Sequence, residues 1–292
     1  MQPLTFADVT VERVVEAEGP GFAPGFLLPE SDLDLIAAER DWLEPHFFDP
    51  ATERLIQSQH TFVVRTPHHT ILVDTCVGND KDRPSSKAWH HMDTPYLEKL
   101  GALGVAPEAV DFVLCTHLHV DHVGWNTRLE DGRWVPTFPN AKYLFHREEM
   151  AFWEEHGDYV GQGYGASDGF YEDSVLPVMA AGQGVLVAGD HAIDDRLRLE
   201  PTPGHSPGHV VMHLDSGEGR AVFSGDMLHH PIQVAQPTWN SRYCWDPEMS
   251  AAARSAFVER HTDSEVTILA AHFAVPTAGR IVSAGSRRRF QV

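Results

Sequence analysis

Short apolar, β-branched runs broken by Gly- and Pro-rich loops recur along the whole chain. They predict strands at residues 9–15, 61–66, 70–74, 111–115, 142–145, 185–187, 209–214, 221–224 and 266–270. Helical periodicity predicts helices at 31–43, 94–103, 147–156 and 170–180. Asp246-Pro247-Glu248 combines a cap, a first-turn proline and an acidic residue, so a further helix is expected from there to about His261. Strands mixed with helices and hairpins point to a layered α/β or α+β domain. No low-complexity linker interrupts the 292 residues, which therefore read as a single domain. Residues 1–60 read as an N-terminal extension that covers the site or contacts a second subunit.

The chemistry is concentrated after the 111–115 run. Thr116-His117-Leu118-His119-Val120-Asp121-His122 packs three imidazoles and a carboxylate into six residues. Alternate side chains of an extended segment project the same way, so His117 and His119 can reach one point while Asp121 and His122, past the turn, reach a second one nearby. Imidazole and carboxylate suit borderline divalent cations in open, hydrolytic sites, whereas closed structural zinc sites lean on cysteine. Four ligands cannot close two coordination shells, so others must come from later strand ends. His205 in Thr-Pro-Gly-His-Ser-Pro-Gly-His209 is the expected third ligand of the first metal. Asp226, after Ala221-Val-Phe-Ser-Gly225, is the expected bridge between the two. His272, after Val266-Thr-Ile-Leu-Ala-Ala271, completes the second metal with Asp121 and His122. With 19 histidines in the chain, a lone one such as His60, His90 or His213 reads as structural or solvated; the ordered set of seven does not.

These residues resemble the metallo-β-lactamase superfamily, whose HxHxDH motif, later His, bridging Asp and final His match His117, His119, Asp121, His122, His205, Asp226 and His272 over residues 60–275. Thr61-Phe-Val-Val-Arg65, Ile71-Leu-Val-Asp-Thr-Cys-Val-Gly78, Trp125 and the long N-terminal portion are most similar to the methyl parathion hydrolase-like branch, with N-acyl homoserine lactonases as relatives. The resemblance implies a four-layer αββα sandwich with the metals at one edge between the two sheets. It also implies that Asp74 supports a ligand histidine; the alternative is an Asp that opens an Asx turn. Redox di-iron relatives carry glutamate where this chain has His119, and true class B β-lactamases lack the bridging carboxylate. Both activities are disfavoured, as is the thioester hydrolase reading, because no basic clasp for an anionic tripeptide is evident.

Charge narrows the partners. With 22 Lys and Arg against 42 Asp and Glu, the net charge of −20 repels polyanions, so nucleic acid is a poor partner and a metal-dependent nuclease is a disfavoured alternative. Arg287-Arg288-Arg289 reads as a solvated tail or a subunit contact. No basic start with an apolar block opens the chain, and no run is long enough to span a membrane. Cys76, Cys115 and Cys244 lack paired spacing, which fits a reduced, cytoplasmic protein with Cys115 buried on its strand.

The expected function is therefore a dinuclear hydrolase, zinc by default with iron, manganese or cobalt as alternatives. A water held between two cations is the nucleophile, and Asp121 and Asp226 are the catalytic carboxylates. The substrate is expected to be a small, neutral, fairly apolar lactone or aryl ester, with organophosphate triesters as the alternative. Trp125, Phe152, Trp153, Trp239 and Tyr243 are candidate aromatic walls, although each taken alone is more often core. His229 and His230 either touch substrate or serve the loop. The glycines between 157 and 169 suggest a lid. A homodimer is one expected assembly.

Overall fold

A computed structural model describes residues 1–157 and 168–292. The predicted lid at 157–169 thus falls largely outside the described residues. The chain divides into two compact units, one of residues 1–2, 17–58 and 189–292 and the other of residues 3–16 and 59–188.

In the unit of residues 3–16 and 59–188, the sheet runs in the order Leu4–Phe6, Val9–Pro20, Arg54–Arg65, Thr70–Val73, Phe112–Leu114, Lys142–His146 and Gly184–Val187. Arg54–Arg65 and Thr70–Val73 form an antiparallel hairpin, and the last four strands are parallel. Thr70–Val73 is buried apart from its first residue, as a near-continuous apolar run in a parallel strand should be. On one face Leu72, Val113, Tyr143 and Phe145 pack with Tyr96 and Leu100 of helix Tyr96–Ala102 and Met150 and Trp153 of helix Arg147–His156. Parallel strands end at a common edge, where loops carry polar groups. The register Val73↔Leu114 brings Asp74 and the residues after Leu114 to that edge.

The other unit carries the strand order Leu197–Pro201, Val210–Asp215, Arg220–Phe223, Thr267–Leu269, Ala278–Ala284 and Arg287–Gln291. Val211, Val222, Ile268, Ile281 and Phe290 pack against Phe257 and Val258 of helix Pro247–His261. Asp246 caps this helix, accepting the Met249 amide at 2.9 Å, as its sequence predicts. Leu27, Leu28, Ile36, Leu43, Phe47, Phe48 and Leu55 belong to the same core, so most of the predicted extension is integral to this unit.

Several local expectations change. The helix expected at 31–43 is two short helices, Leu33–Ala37 and Arg40–Leu43. The chain turns between them at Glu39, whose buried carboxylate accepts Trp42 Nε1 at 2.6 Å and Arg287 Nη1 at 2.6 Å, a long-range anchor that local propensity does not encode. The arginine run is likewise no solvated tail. Arg287–Gln291 is a strand paired with Ala278–Ala284, and Arg289 lies 3.5 Å from Asp41. The 170–180 segment is a π-turn at Tyr171–Val175 followed by helix Leu176–Ala180. The hairpin Thr127–Glu130 and Arg133–Pro136 was not expected; its Asp131-Gly132 turn has both residues at positive φ, as tight hairpins demand.

Candidate metal centre

The HxHxDH segment follows strand Phe112–Leu114, and His119 precedes the one-turn helix Val120–Val123 that carries Asp121 and His122. The His117 ring lies 4.3 Å from that of His119 and 4.1 Å from that of His122, centroid to centroid. Asp74 organises this group. Its carboxylate accepts the Thr116 amide at 2.8 Å and the Thr116 hydroxyl at 2.9 Å, and lies 2.9 Å from His122 Nδ1. With its proton given to Asp74, the Thr116 hydroxyl is left to accept from His117 Nδ1 at 3.1 Å. One carboxylate thus assigns the tautomer of two imidazoles and leaves the Nε2 lone pairs of both facing outward, the arrangement metal-ligating histidines use. His122 Nε2 is 3.7 Å from Asp121 Oδ1. Glu149 accepts the amide of Leu118, which holds the backbone between His117 and His119.

Close backbone approach fixes the loop. Thr75 N donates to His122 O, and Trp125 N donates to Thr75 O, both at 2.8 Å. A Cβ on Gly124 would sit 1.7 Å from the Val77 carbonyl oxygen, so only glycine fits. Gly124→Ala is expected to destabilise the protein by about 1–3 kcal/mol, the usual cost of overpacking. Urea unfolding measures it; an unchanged midpoint would contradict the packing.

In the other unit, Asp226 follows strand Arg220–Phe223 and stands among three imidazoles. Its Oδ1 is 3.1 Å from His272 Nε2, and its Oδ2 is 3.2 Å from both His205 Nε2 and His229 Nε2. His272 Nδ1 points at the Ser58 carbonyl, 3.1 Å away, so the proton is assigned there and an Nε2 lone pair faces the carboxylate. Two lone pairs at such a distance repel unless a cation lies between them. Burial pushes the His205 imidazole down to about 3 against the opposing pull of Asp226, which keeps it a neutral donor at physiological pH. The residues present therefore fit a divalent cation, by donor type and by tautomer.

A residue that sequence reasoning passed over completes this group. His209 Nε2 accepts the Asp226 amide at 3.0 Å while its Nδ1 meets Thr202 Oγ1 at 2.8 Å, fixing the backbone that carries the carboxylate. The repeated Gly-His of the 202–209 loop was its available signal. Cys244 Sγ, 3.7 Å from His205 Nδ1, has no such signal.

The sequence pattern of the Metallo-beta-lactamase superfamily matches residues 56–283. The chain belongs to this superfamily. Among curated relatives of this metallo-β-lactamase superfamily member, the N-acyl homoserine lactonase AttM of Agrobacterium fabrum is 28% identical over 133 residues, covering 40% of each chain. The chain thus spans well under half the length of such relatives. Among solved structures, the hydrolase AbOPH superposes with TM-score 0.80 at 24% identity, covering 99% of this chain and 96% of that one. AidC, a dizinc quorum-quenching lactonase, superposes with TM-score 0.78 at 18% identity and the same coverage. These similarities show that the chain has the metallo-β-lactamase fold.

The remaining expected contacts separate into two kinds. Trp125 is buried, donates its indole N–H to Glu16 at 2.6 Å and stacks on Tyr96 at 4.8 Å, which makes it a core residue of this superfamily member. His230 is also structural: Nε2 donates to the Phe47 carbonyl at 2.7 Å and Nδ1 accepts the Ile232 amide. Trp239 is buried within the core of its unit. Trp153 is fully buried in the core of its unit, its ring 6.3 Å from that of His119, with half-buried Phe152 against it at 5.2 Å. Tyr243, half-buried, lies 6.4 Å from Phe22, which stacks on Phe26 at 5.2 Å.

Burial holds the His230 pKa down at about 4, with the Phe47 hydrogen bond opposing. Its unfolded value is near 6.5, so the unfolded chain takes up a proton first as pH falls. The contribution is fully present above about pH 6.5 and lost progressively toward about pH 4. It amounts to about 3 kcal/mol at most. Urea unfolding of wild type and His230→Gln at pH 7 and pH 4.5 should show a flatter pH dependence in the variant; parallel losses would refute this assignment.

Proposed function

We propose that this chain is a dinuclear metal-dependent hydrolase acting on small, neutral, fairly apolar lactones or aryl esters. The reading rests on one observation above all: in both donor sets a backing group assigns the Nδ1 proton and turns an imidazole Nε2 lone pair toward a carboxylate oxygen. In this reading, which follows the ligand pattern of the sequence, His117, His119, His205 and Asp226 would hold one cation, and Asp121, His122, His272 and the shared Asp226 would hold the other. Zinc is the expected metal by donor type. When bound, such a pair of cations lowers the pKa of water and polarises an acyl or phosphoryl oxygen.

The protein's own groups do the rest. Asp226 presents one oxygen toward His272 and the other toward His205, a geometry suited to bridging. Asp121 is the carboxylate proposed to take a proton from water and return it to the leaving oxygen. His229 is the proposed hydrogen-bonding partner of the substrate oxygen. Half-buried Phe152, and half-buried Phe22 and Tyr243, are the proposed apolar surface for the acyl or aryl portion. The AttM and AidC lactonases lend the lactone class its preference.

A hydrolysis screen of zinc-reconstituted protein tests this directly. Acyl homoserine lactones, aromatic lactones and aryl esters should turn over, with metal content of at least two equivalents, and His119→Ala should lose activity. Exclusive turnover of organophosphate triesters would transfer the assignment to that class. Equal activity in the His119→Ala control would sink it.

A further inference from the structure

A second cluster of metal-type donors lies on the loop from Asp80 to Met92, and nothing in the proposed hydrolysis uses it. Two backbone hydrogen bonds close this loop, Asp80 N to Met92 O at 3.0 Å and His91 N to Lys81 O at 2.8 Å. Asp80 and His91 both adopt positive φ, at 62° and 50°, so the loop is held in a conformation that costs backbone energy. Side chains alternate along its first arm: Lys81 and Arg83 are fully buried, while Asp82 between them is exposed. Across the loop, His90 and His91 are exposed on the same side as Asp82.

The donor geometry is compact. His90 Nδ1 is 3.2 Å from Asp82 Oδ1, His91 Nε2 is 3.9 Å from the same oxygen, and the two rings are 4.2 Å apart. His91 Nδ1 lies 3.2 Å from the Asp80 carbonyl, which assigns its proton and leaves Nε2 as a donor toward Asp82. His90 Nδ1 accepts the Arg83 amide at 3.1 Å, so that nitrogen has no proton to offer the carboxylate. A nitrogen lone pair and an anionic oxygen therefore face each other, and a cation that takes over the lone pair from the Arg83 amide relieves the repulsion.

We propose that Asp82, His90 and His91 form a separate, solvent-open binding site for a borderline divalent cation such as Zn²⁺, Ni²⁺ or Cu²⁺. Two imidazoles and one carboxylate select such ions over Mg²⁺ and Ca²⁺, which want all-oxygen shells. Water fills the remaining positions, so the ion exchanges readily. Binding ties residue 82 to residues 90–91 and closes the loop between them. That loop presents Lys81 and Arg83 to Asp173, with Arg83 making a bidentate pair at 2.6 and 2.8 Å and donating to the Asp168 carbonyl at 2.8 Å. The cation thus braces the anchor of residues 168–173 without touching the hydrolytic centre.

The test compares holoprotein with a His90→Ala/His91→Ala variant by equilibrium dialysis against Zn²⁺ and, separately, Ni²⁺. The variant should bind one equivalent fewer and keep its hydrolytic rate within about two-fold. Zn²⁺ should also slow tryptic cleavage after the exposed Lys87 several-fold in wild type and not in the variant. Asp82→Asn, which leaves both rings in place, should weaken the same equivalent about ten-fold or more. Because the readout is a difference between two proteins, it stands whether or not the proposed dinuclear centre holds two ions. Equal metal content in wild type and the double variant, or equal protection of Lys87, overturns the inference.

Discussion

Asp226→Asn is expected to reduce hydrolysis by about 10³-fold or more while leaving the metal-free protein as stable as wild type. Several kcal/mol of Lewis-acid stabilisation is at stake, and each 1.36 kcal/mol is a factor of ten in rate. The argument is electrostatic. Asparagine keeps the shape but loses the charge, and replaces one acceptor oxygen with an NH₂ donor facing an imidazole nitrogen at 3.1 or 3.2 Å. Without metal, that donor satisfies the lone pair it meets, so the apo fold does not suffer. In the proposed dinuclear centre, the variant would lack the shared anion that offsets the repulsion between two cations. Metal content, steady-state rates and thermal unfolding of the chelator-treated protein separate the two effects. An Asp226→Asn protein that retained full metal and full rate would remove Asp226 from the centre.

The second large effect is expected at Asp74. Asp74→Asn should weaken metal binding or activity by about 10–100-fold, the usual consequence of disturbing a group behind a ligating histidine. The carboxylate serves Thr116 twice and His122 once, and through the Thr116 hydroxyl it also orients His117. A neutral amide cannot accept from all of them. Asp74 sits at φ 57°, a conformation asparagine tolerates as well as aspartate, so backbone strain does not confound the comparison. If Asp74 merely opened a turn, asparagine would substitute without loss. Metal titration of the two proteins distinguishes the alternatives.

The HxHxDH residues, the helix from Pro247 to His261 and the buried parallel strands were legible because each is a local pattern: ligand spacing, a cap with a first-turn proline, an apolar run. The same local reasoning left Trp125 open between a pocket wall and a core residue. Its indole donates to Glu16, more than a hundred residues earlier. His230 was left open between substrate and loop for the same reason, since its partner carbonyl belongs to Phe47. The arginine run looked like a solvated tail because the carboxylates that neutralise it, on Glu39 and Asp41, are distant in the chain.

The sequence by itself determined which side chains are the candidates for the chemistry and on which kind of element each one sits. Donor identity and periodicity are properties of neighbouring residues, and they survive without coordinates. Only the tertiary structure decided which nitrogen of each imidazole is the donor, because that choice is made by a hydrogen bond to a remote group: Asp74 for His122, Ser58 for His272, Thr202 behind His209. It also decided that Trp125, Trp153 and Trp239 are core. Both outcomes depend on the packing of segments far apart in the chain, and spacing along a sequence carries no record of it.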